Sequence, residues 1–337
     1  MLQPAVLTGL GAYLPPRRVN NEELADRFDT TDEWITSRTG IRTRRWADPG
    51  ISTGDLAVEA GHRALKSAGL APEPGTVDLV VLATTTPDHP CPATAPDVAA
   101  RLGLGAPAAF DISAVCSGFI YALDTAANAV LASRARNALV IGAETYSTIL
   151  NPKDRTTSVI FGDGAGAAVL TAGEEGQDGA FQGFDLGSDG QQKDLIRIPA
   201  GGSRQRSQGT APAPGDEYFT MRGREVFLSA VQRMTESSQA LLDRIGWTTD
   251  SIGHLVGHQA NSRILRAVAE QLRVPAERAV VNLDQVGNTS AASIPLALAD
   301  AAADGRLKAG ERLLLTAFGG GLTWGSAALT WPDIVPA

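Results

Sequence analysis

The chain holds 337 residues, 43% hydrophobic and 20% charged, which is the composition of an ordinary soluble globular protein with room for two domains or one large duplicated core. A net charge of -8 argues against a general binder of nucleic acid or of anionic membranes, since such proteins carry a positive field. Two cysteines make no disulfide framework and no Cys/His spacing resembles a zinc site, so no metal is expected and a reducing cytoplasm fits best.

From Met1 to Leu14 the chain lacks a basic leader and a long apolar run, and Pro15-Pro16 follow, so neither a signal peptide nor a membrane span is expected. Gly9-Leu10-Gly11 runs into the same prolines where a phosphate-binding helix would have to begin, which argues for close packing rather than a nucleotide site. Arg38, Arg42, Arg44 and Arg45 form the one dense basic run, a candidate anion patch or a solvated loop. Beyond it, apolar β-branched runs alternate with Ala-rich helical patterns: strand over 77–84, helix over 95–102, strand over 108–112, helix over 119–132, strand over 138–141. That alternation predicts βαβ units and a mostly parallel sheet. Gly162-Asp163-Gly164-Ala165-Gly166 continues as Ala167-Ala168-Val169-Leu170, a further strand rather than a phosphate-binding turn.

The pattern restarts after a Gly/Asp-rich stretch near residue 175, which predicts two similar α/β halves, 1–175 and 176–337. In the second half, helix is expected over 224–245, strand over 251–256, helices over 261–272 and 291–300, and strand over 312–317. Residues 199–216, rich in Gly, Ser, Pro and Gln without apolar periodicity, read as an exposed loop, an insertion in preference to a lid.

Three polar residues stand in Gly- or Ala-rich settings far apart in the chain. Cys116 lies in Ala114-Val115-Cys116-Ser117-Gly118, between a strand and an apolar helical pattern. A thiol at a helix N-terminus is expected to have its thiolate stabilised by backbone N–H groups and the helix dipole. A buried inert cysteine is the alternative. Cys91, between Pro90 and Pro92 with no helix behind it, is the poorer nucleophile. His258 ends a strand-like run and precedes a helix, the place where α/β folds put functional groups, whereas His62, His89 and His254 have no such context. Asn288, in Gly287-Asn288-Thr289-Ser290, fits an N-cap or turn taken alone. Together, Cys, His and Asn make a thiol nucleophile with two hydrogen-bond donors, a set suited to acyl transfer.

With these residues in view, the chain resembles the β-ketoacyl-acyl-carrier-protein synthases of type III, of the thiolase superfamily, nearly end to end. The resemblance rests on Asp32-Glu33-Trp34-Ile35 with Arg38-Thr39-Gly40-Ile41-Arg42, the Cys116 segment, Phe161-Gly162-Asp163-Gly164-Ala165-Gly166, His258-Gln259-Ala260-Asn261, Gly287-Asn288-Thr289-Ser290-Ala291-Ala292-Ser293, and Phe318-Gly319-Gly320-Gly321-Leu322-Thr323-Trp324-Gly325. Elongating synthases would carry a second His in place of Asn288, thiolases a second Cys near the C-terminus. Chalcone-synthase-like enzymes differ at the Phe318-Gly319-Gly320-Gly321 loop.

The resemblance implies a thiolase fold of five αβαβα layers and a homodimer. It implies that Cys116 takes an acyl group from acyl-coenzyme A, with the backbone N–H groups of Cys116 and Gly320 as oxyanion hole. His258 and Asn288 would then donate to the thioester oxygen of malonyl-acyl-carrier protein as it loses carbon dioxide, and the carbanion would attack the acyl-Cys. This step would begin a fatty-acid or polyketide chain without a cofactor. Trp34 and Arg155 would sandwich the adenine of coenzyme A, Arg38 would lie near its phosphates, and Asn261 would lie along the pantetheine tunnel. Cys91 from the partner subunit, Tyr146 and Phe161 would line the acyl pocket, while Arg224, Arg263 and Arg266, with Arg222, would meet the acidic carrier protein.

Two departures stand out. Positions often basic in the family hold Leu228, Glu270 and Gln271 here, and Cys91 stands where members using short primers place a Phe, which predicts a pocket for acyl groups longer or more branched than acetyl. Two other readings are kept open by the sequence: an acyltransferase acting on an alcohol or amine without decarboxylation, and a non-catalytic partner subunit of a synthase complex.

Overall fold

The computed structural model describes residues 3–174 and 176–337, so the boundary expected at residue 175 and the first two residues of the stretch expected to hold no signal peptide lie outside the described residues. Residues 5–172 supply a five-stranded sheet in the order Ala5–Tyr13, Gly164–Ala172, Asn137–Glu144, Leu79–Ala83, Ala108–Ile112. Residues 181–330 supply a four-stranded sheet in the order His254–Gly257, Arg312–Gly319, Thr323–Thr330, Phe181–Ser188.

The two sheets and three helical layers stack as αβαβα, the thiolase fold. Helices Thr53–Ser67 and Ala95–Arg101 cover the outer face of the first sheet. Helices Gly118–Leu131 and Ser293–Ala303 fill the centre, and helices Gly223–Ile245 and Ser262–Gln271 cover the second sheet. Both central helices are buried nearly all round (Phe119, Ile120, Leu123, Ala126; Ile294, Ala297, Leu298, Ala301), as helices between two apolar sheets must be. No helix among the described residues is long and apolar enough to cross a membrane.

The expected mostly parallel sheet is corrected to two mixed sheets. Gly164–Ala172 runs antiparallel to both of its neighbours, and Thr323–Thr330 returns antiparallel on Arg312–Gly319 after a short loop, as a tight connection between adjacent strands requires. The expected helix over 291–300 starts at Ser293, with a 3-10 turn at Ser290–Ala292 before it. The strand expected over 251–256 shrinks to His254–Gly257 behind a 3-10 turn. Residues 199–216 are exposed and irregular apart from the turn of helix Ser203–Arg206, and the Ala200 N–H donates to the Asp216 carbonyl at 2.9 Å, closing the loop at its base.

The basic run is also corrected. Arg44 is fully buried and donates to Asn21 Oδ1 at 2.8 Å and to the Val159 carbonyl at 2.8 Å, so it staples the N-terminal segment to the interior and contributes nothing to an anion patch. Burial lowers its pKa to about 10, with Asp32 and Glu23 acting in the opposite direction, which leaves it a cation at neutral pH.

Candidate active site

The central helical layer and the second sheet together deliver the three residues to one place. Cys116 sits in the 3-10 turn Val115–Ser117 at the head of Gly118–Leu131, His258 follows the end of His254–Gly257, and Asn288 precedes the turn that leads into Ser293–Ala303. All three line a cavity of about 220 Å³, together with the apolar side chains of Phe161, Ile196 and Phe219. Each catalytic candidate is over nine-tenths buried.

The Cys116 turn is locked from the second sheet. Ser117 Oγ lies 2.8 Å from the Ala114 carbonyl and 2.8 Å from Thr323 Oγ1, which is itself 3.0 Å from the Gly320 carbonyl. A Cβ on Gly319 would stand 2.8 Å from the Ala114 oxygen and 2.8 Å from the Cys116 nitrogen, so only glycine admits this approach. Gly319 is thereby held against Cys116, and Gly320 beside Val115.

Two non-glycine residues with positive φ flank the site, Val115 at 48° and Ser290 at 49°. Such conformations cost about 1–3 kcal/mol each and cluster where function requires a fixed geometry.

The sequence predicts a thiolate favoured by the helix N-terminus; burial of the sulfur acts in the opposite direction. It pushes the Cys116 thiol up to about 12, the Ser290 hydroxyl acts against it, and the Glu144 carboxyl adds a smaller upward push.

His258 is a neutral imidazole, its pKa driven down to about 3 by burial. Its Nδ1 is 2.7 Å from Ser293 Oγ, and its backbone N–H donates to the Thr316 carbonyl at 2.8 Å. Next to it, fully buried Gln259 donates to the carbonyls of Gly257 (2.8 Å) and Val280 (3.1 Å) and accepts from the N–H of Asn282 (3.1 Å), which fixes the strand end. The Asn288 backbone is held to Ile160 and Gly162 by two hydrogen bonds of 2.9 Å, one in each direction, which explains why Phe161 reaches the same cavity.

Around this centre the other expected residues divide. Trp34, Arg38 and Asn261 line the cavity; Asn261 also caps Ser262–Gln271, its Oδ1 accepting from the N–H groups of Arg263 and Ile264 at 3.0 Å. Arg155 does not line the cavity, but its guanidinium lies 5.4 Å from the Trp34 ring centroid and hydrogen-bonds the Asp29 backbone. Arg38 lies 4.5 Å from the same ring. Tyr146 lies behind Phe161, stacked on it at 4.4 Å, with Phe219 edge-on to both. Cys91 is exposed on the loop before Ala95–Arg101 and does not reach its own chain's cavity. Arg224 and Arg263 border an adjoining groove with Arg38 and Leu228, whereas Arg266 is exposed outside it.

Three polar residues of the site escaped the sequence reading: Ser293, Ser290 and Glu144. Glu144, the last residue of Asn137–Glu144, is fully buried. Its place as the lone acid closing an apolar run is the one sequence signal that marks it. Among the described residues no group of three or more metal-ligating side chains is assembled.

The model of the 3-oxoacyl-[acyl-carrier-protein] synthase III family matches residues 110–190, and the model of its C-terminal part matches residues 242–331. Beta-ketoacyl-[acyl-carrier-protein] synthase III 5 of Streptomyces coelicolor is 66% identical over 98% of both chains. Among solved structures, the 3-oxoacyl-(acyl carrier protein) synthase III of Pseudomonas aeruginosa superposes with a TM-score of 0.92 at 51% identity, over 99% of this chain and all of that one. The priming β-ketosynthase of the R1128 polyketide pathway superposes with a TM-score of 0.91 at 34% identity, over 98% and 97%.

Proposed function

Since the chain belongs to the 3-oxoacyl-[acyl-carrier-protein] synthase III family, we propose that it condenses an acyl group, received on Cys116 from acyl-coenzyme A, with malonyl-acyl-carrier protein. The observation that carries the reading is the convergence of Cys116, His258 and Asn288 on one mostly apolar cavity that opens past Trp34 and Arg38.

In the first half-reaction Cys116 sulfur attacks the thioester carbonyl, and the backbone N–H groups of Cys116 and Gly320 stabilise the oxyanion. Coenzyme A leaves as the thiol. In the second, the malonyl thioester oxygen accepts hydrogen bonds from Asn288 Nδ2 and His258 Nε2 while carbon dioxide departs. His258 Nδ1 and Ser293 Oγ are 2.7 Å apart; in the tautomer this reading requires, Ser293 donates to Nδ1 and Nε2 carries the proton, and an imidazole kept neutral by burial stabilises the enolate without protonating it. The carbanion attacks the acyl-Cys carbonyl, Cys116 leaves, and a β-ketoacyl carrier protein results.

Coenzyme A stacks its adenine on Trp34, with Arg155 as the second face and Arg38 beside the phosphates. For a purine to enter between Trp34 and Arg155, faces about 7 Å apart are needed, twice a contact of roughly 3.5 Å. The present 5.4 Å separation is closed, so Arg155 swings away from Asp29 on binding. Arg224, Arg263 and Arg266 receive the acidic carrier protein, with Phe227 beneath the Arg263 guanidinium at 5.6 Å. The acyl chain lies against Phe161, backed by Tyr146; Cys91 of a second subunit would complete the pocket and leave space for an acyl group larger than acetyl.

Purified protein incubated with a panel of acyl-coenzyme A thioesters and weighed intact tests this reading. Acylation of wild type but not of Cys116→Ala, followed by carbon dioxide and β-ketoacyl product when malonyl-acyl-carrier protein is added, is the expected result. Acylation with no decarboxylation, or no acylation with any thioester, would overturn it.

A further inference from the structure

The N–H that the acyl-transfer reading assigns to the oxyanion hole beside that of Cys116 belongs to a run of three glycines, Gly319-Gly320-Gly321. Glycine takes positive and negative φ about as readily, so no side chain in the run fixes which way its peptide units face. Oxyanion donors act by being aimed before charge develops, and the peptide unit between Gly319 and Gly320 must therefore be held from outside the run.

The structure holds that unit at both ends. On one side Gly319 is pressed against the Cys116 nitrogen, with no room for a Cβ. On the other, the Gly320 carbonyl accepts from Thr323 Oγ1 at 3.0 Å. A hydroxyl has a single proton to give, and the Ala114 carbonyl competes for this one at 3.1 Å. Ser117 decides the competition. Its fully buried Oγ donates to Thr323 Oγ1 at 2.8 Å, which fills a Thr323 lone pair and turns the Thr323 proton toward a carbonyl. The Ala114 carbonyl already accepts from the Ser117 N–H at 3.1 Å and has Ser117 Oγ at 2.8 Å, so the Gly320 carbonyl is the acceptor left open.

The two hydroxyls also join the two turns that carry the two N–H groups. Ser117 is the residue after Cys116 at the head of Gly118–Leu131, and Thr323 opens Thr323–Thr330 directly beyond the glycine run. An alanine and a valine would fill the same space without the cost of burying hydroxyls, but neither could hold the Gly320 carbonyl.

We propose that Ser117 and Thr323 are positioning residues for the oxyanion hole: Ser117 turns the Thr323 hydroxyl onto the Gly320 carbonyl, which keeps the Gly320 N–H aimed at the same point as the Cys116 N–H. The inference rests on the acyl-transfer reading of Cys116. Neither residue lines the cavity, and no bond of the reaction forms or breaks at either hydroxyl.

The test compares two reactions of Cys116 in the full chain, read by peptide mass so that exposed Cys91 is counted apart. Acylation by p-nitrophenyl acetate passes through an oxyanion, whereas alkylation by iodoacetamide displaces iodide and forms none. Ser117→Ala and Thr323→Val are each expected to slow acylation at least about 10-fold, approaching the roughly 10²–10³-fold of a deleted oxyanion donor, with alkylation within about twofold of wild type. Thr323→Ser, which keeps the hydroxyl, should recover most of the rate that Thr323→Val loses. The double variant should be little slower than the slower single one, because both substitutions act through one carbonyl.

Acylation and alkylation falling in step would show that the hydroxyls only shape the Cys116 turn. Unchanged acylation, or losses that multiply fully in the double variant, would show that Gly320 is held without this pair; each of these results overturns the inference. Acylation by acyl-coenzyme A is followed in parallel. If wild type takes an acyl group from the ester but from no coenzyme A thioester, the proposed function fails while the ester series still decides the role of Ser117 and Thr323. A Cys116 that alkylates but is acylated by neither donor overturns both.

Discussion

The side-chain oxygen of Asn288 accepts a hydrogen bond from the backbone N–H of Ser290 at 2.9 Å, which settles which end of that amide is free to donate. With Oδ1 engaged, Nδ2 faces the cavity. Asn288→Asp keeps the shape and replaces the donor with an acceptor, so enolate stabilisation is lost. Malonyl decarboxylation is expected to drop by about 10²–10³-fold, the usual effect of removing one such donor, with Cys116 acylation nearly unchanged. Single-turnover measurement of each half-reaction checks this; equal losses in both would mean that Asn288 only shapes the cavity.

His258 and Glu144 give acid stability opposite signs. His258 titrates near 3 in the folded chain against 6.5 when unfolded, so its contribution is present above pH 6.5 and is lost as pH falls toward 3. Glu144 titrates near 7 against 4.5, so its contribution is present below pH 4.5 and is lost as pH rises through 7. Between those unfolded values the two slopes cancel. His258→Gln removes one of them, and should gain roughly 2 kcal/mol at pH 5 relative to pH 7 compared with wild type, about 1.5 pH units of one proton. Urea unfolding at the two pH values measures the difference.

Gly319→Ala forces a methyl against the Ala114 oxygen and the Cys116 nitrogen, where the contact would be 2.8 Å. Overpacking of this kind costs about 1–3 kcal/mol. Because the displaced atoms belong to the Cys116 turn, acylation should fall by about 10²-fold or more even in protein that is fully folded, while Gly190→Ala, at a position with open space away from the cavity, serves as the control. Circular dichroism with intact-mass acylation separates the two effects.

Arg155 and Trp34 lie face to face before any nucleotide is present. Arg155→Ala should weaken coenzyme A by about 0.5–2 kcal/mol, the range of a cation–π contact, as read from Trp34 fluorescence. Asp29→Ala removes only the exposed 3.4 Å ion pair and keeps the backbone acceptor, so coenzyme A association is expected to change little. A clear loss of affinity in Asp29→Ala would show that the ion pair supports the bound state.

The convergence of Cys116, His258 and Asn288 was legible because each stands alone in a small-residue setting just ahead of a helix, which leaves few other reasons for its presence. The desolvation of the thiol was not. Helix position is written in sequence, whereas desolvation depends on what the other half of the chain places over the sulfur, and here it dominates. Arg44 failed for the same reason: four arginines close together look alike in sequence, but one of them has Asn21 and Val159 around it and no water. Glu144 has no spacing partner at all, since its donors come from the distant 84–86 segment.

Val115 and Ser290 carry left-handed backbone on either side of the catalytic seam. Any campaign that ranks variants of this enzyme by melting temperature will be drawn to those two positions, because glycine or asparagine relaxes them at once. The gain would come from letting the nucleophile turn and the Asn288 turn drift independently. Thermal robustness and turnover are therefore opposed at Val115 and Ser290, and a hardier catalyst should be sought in the outer helices instead.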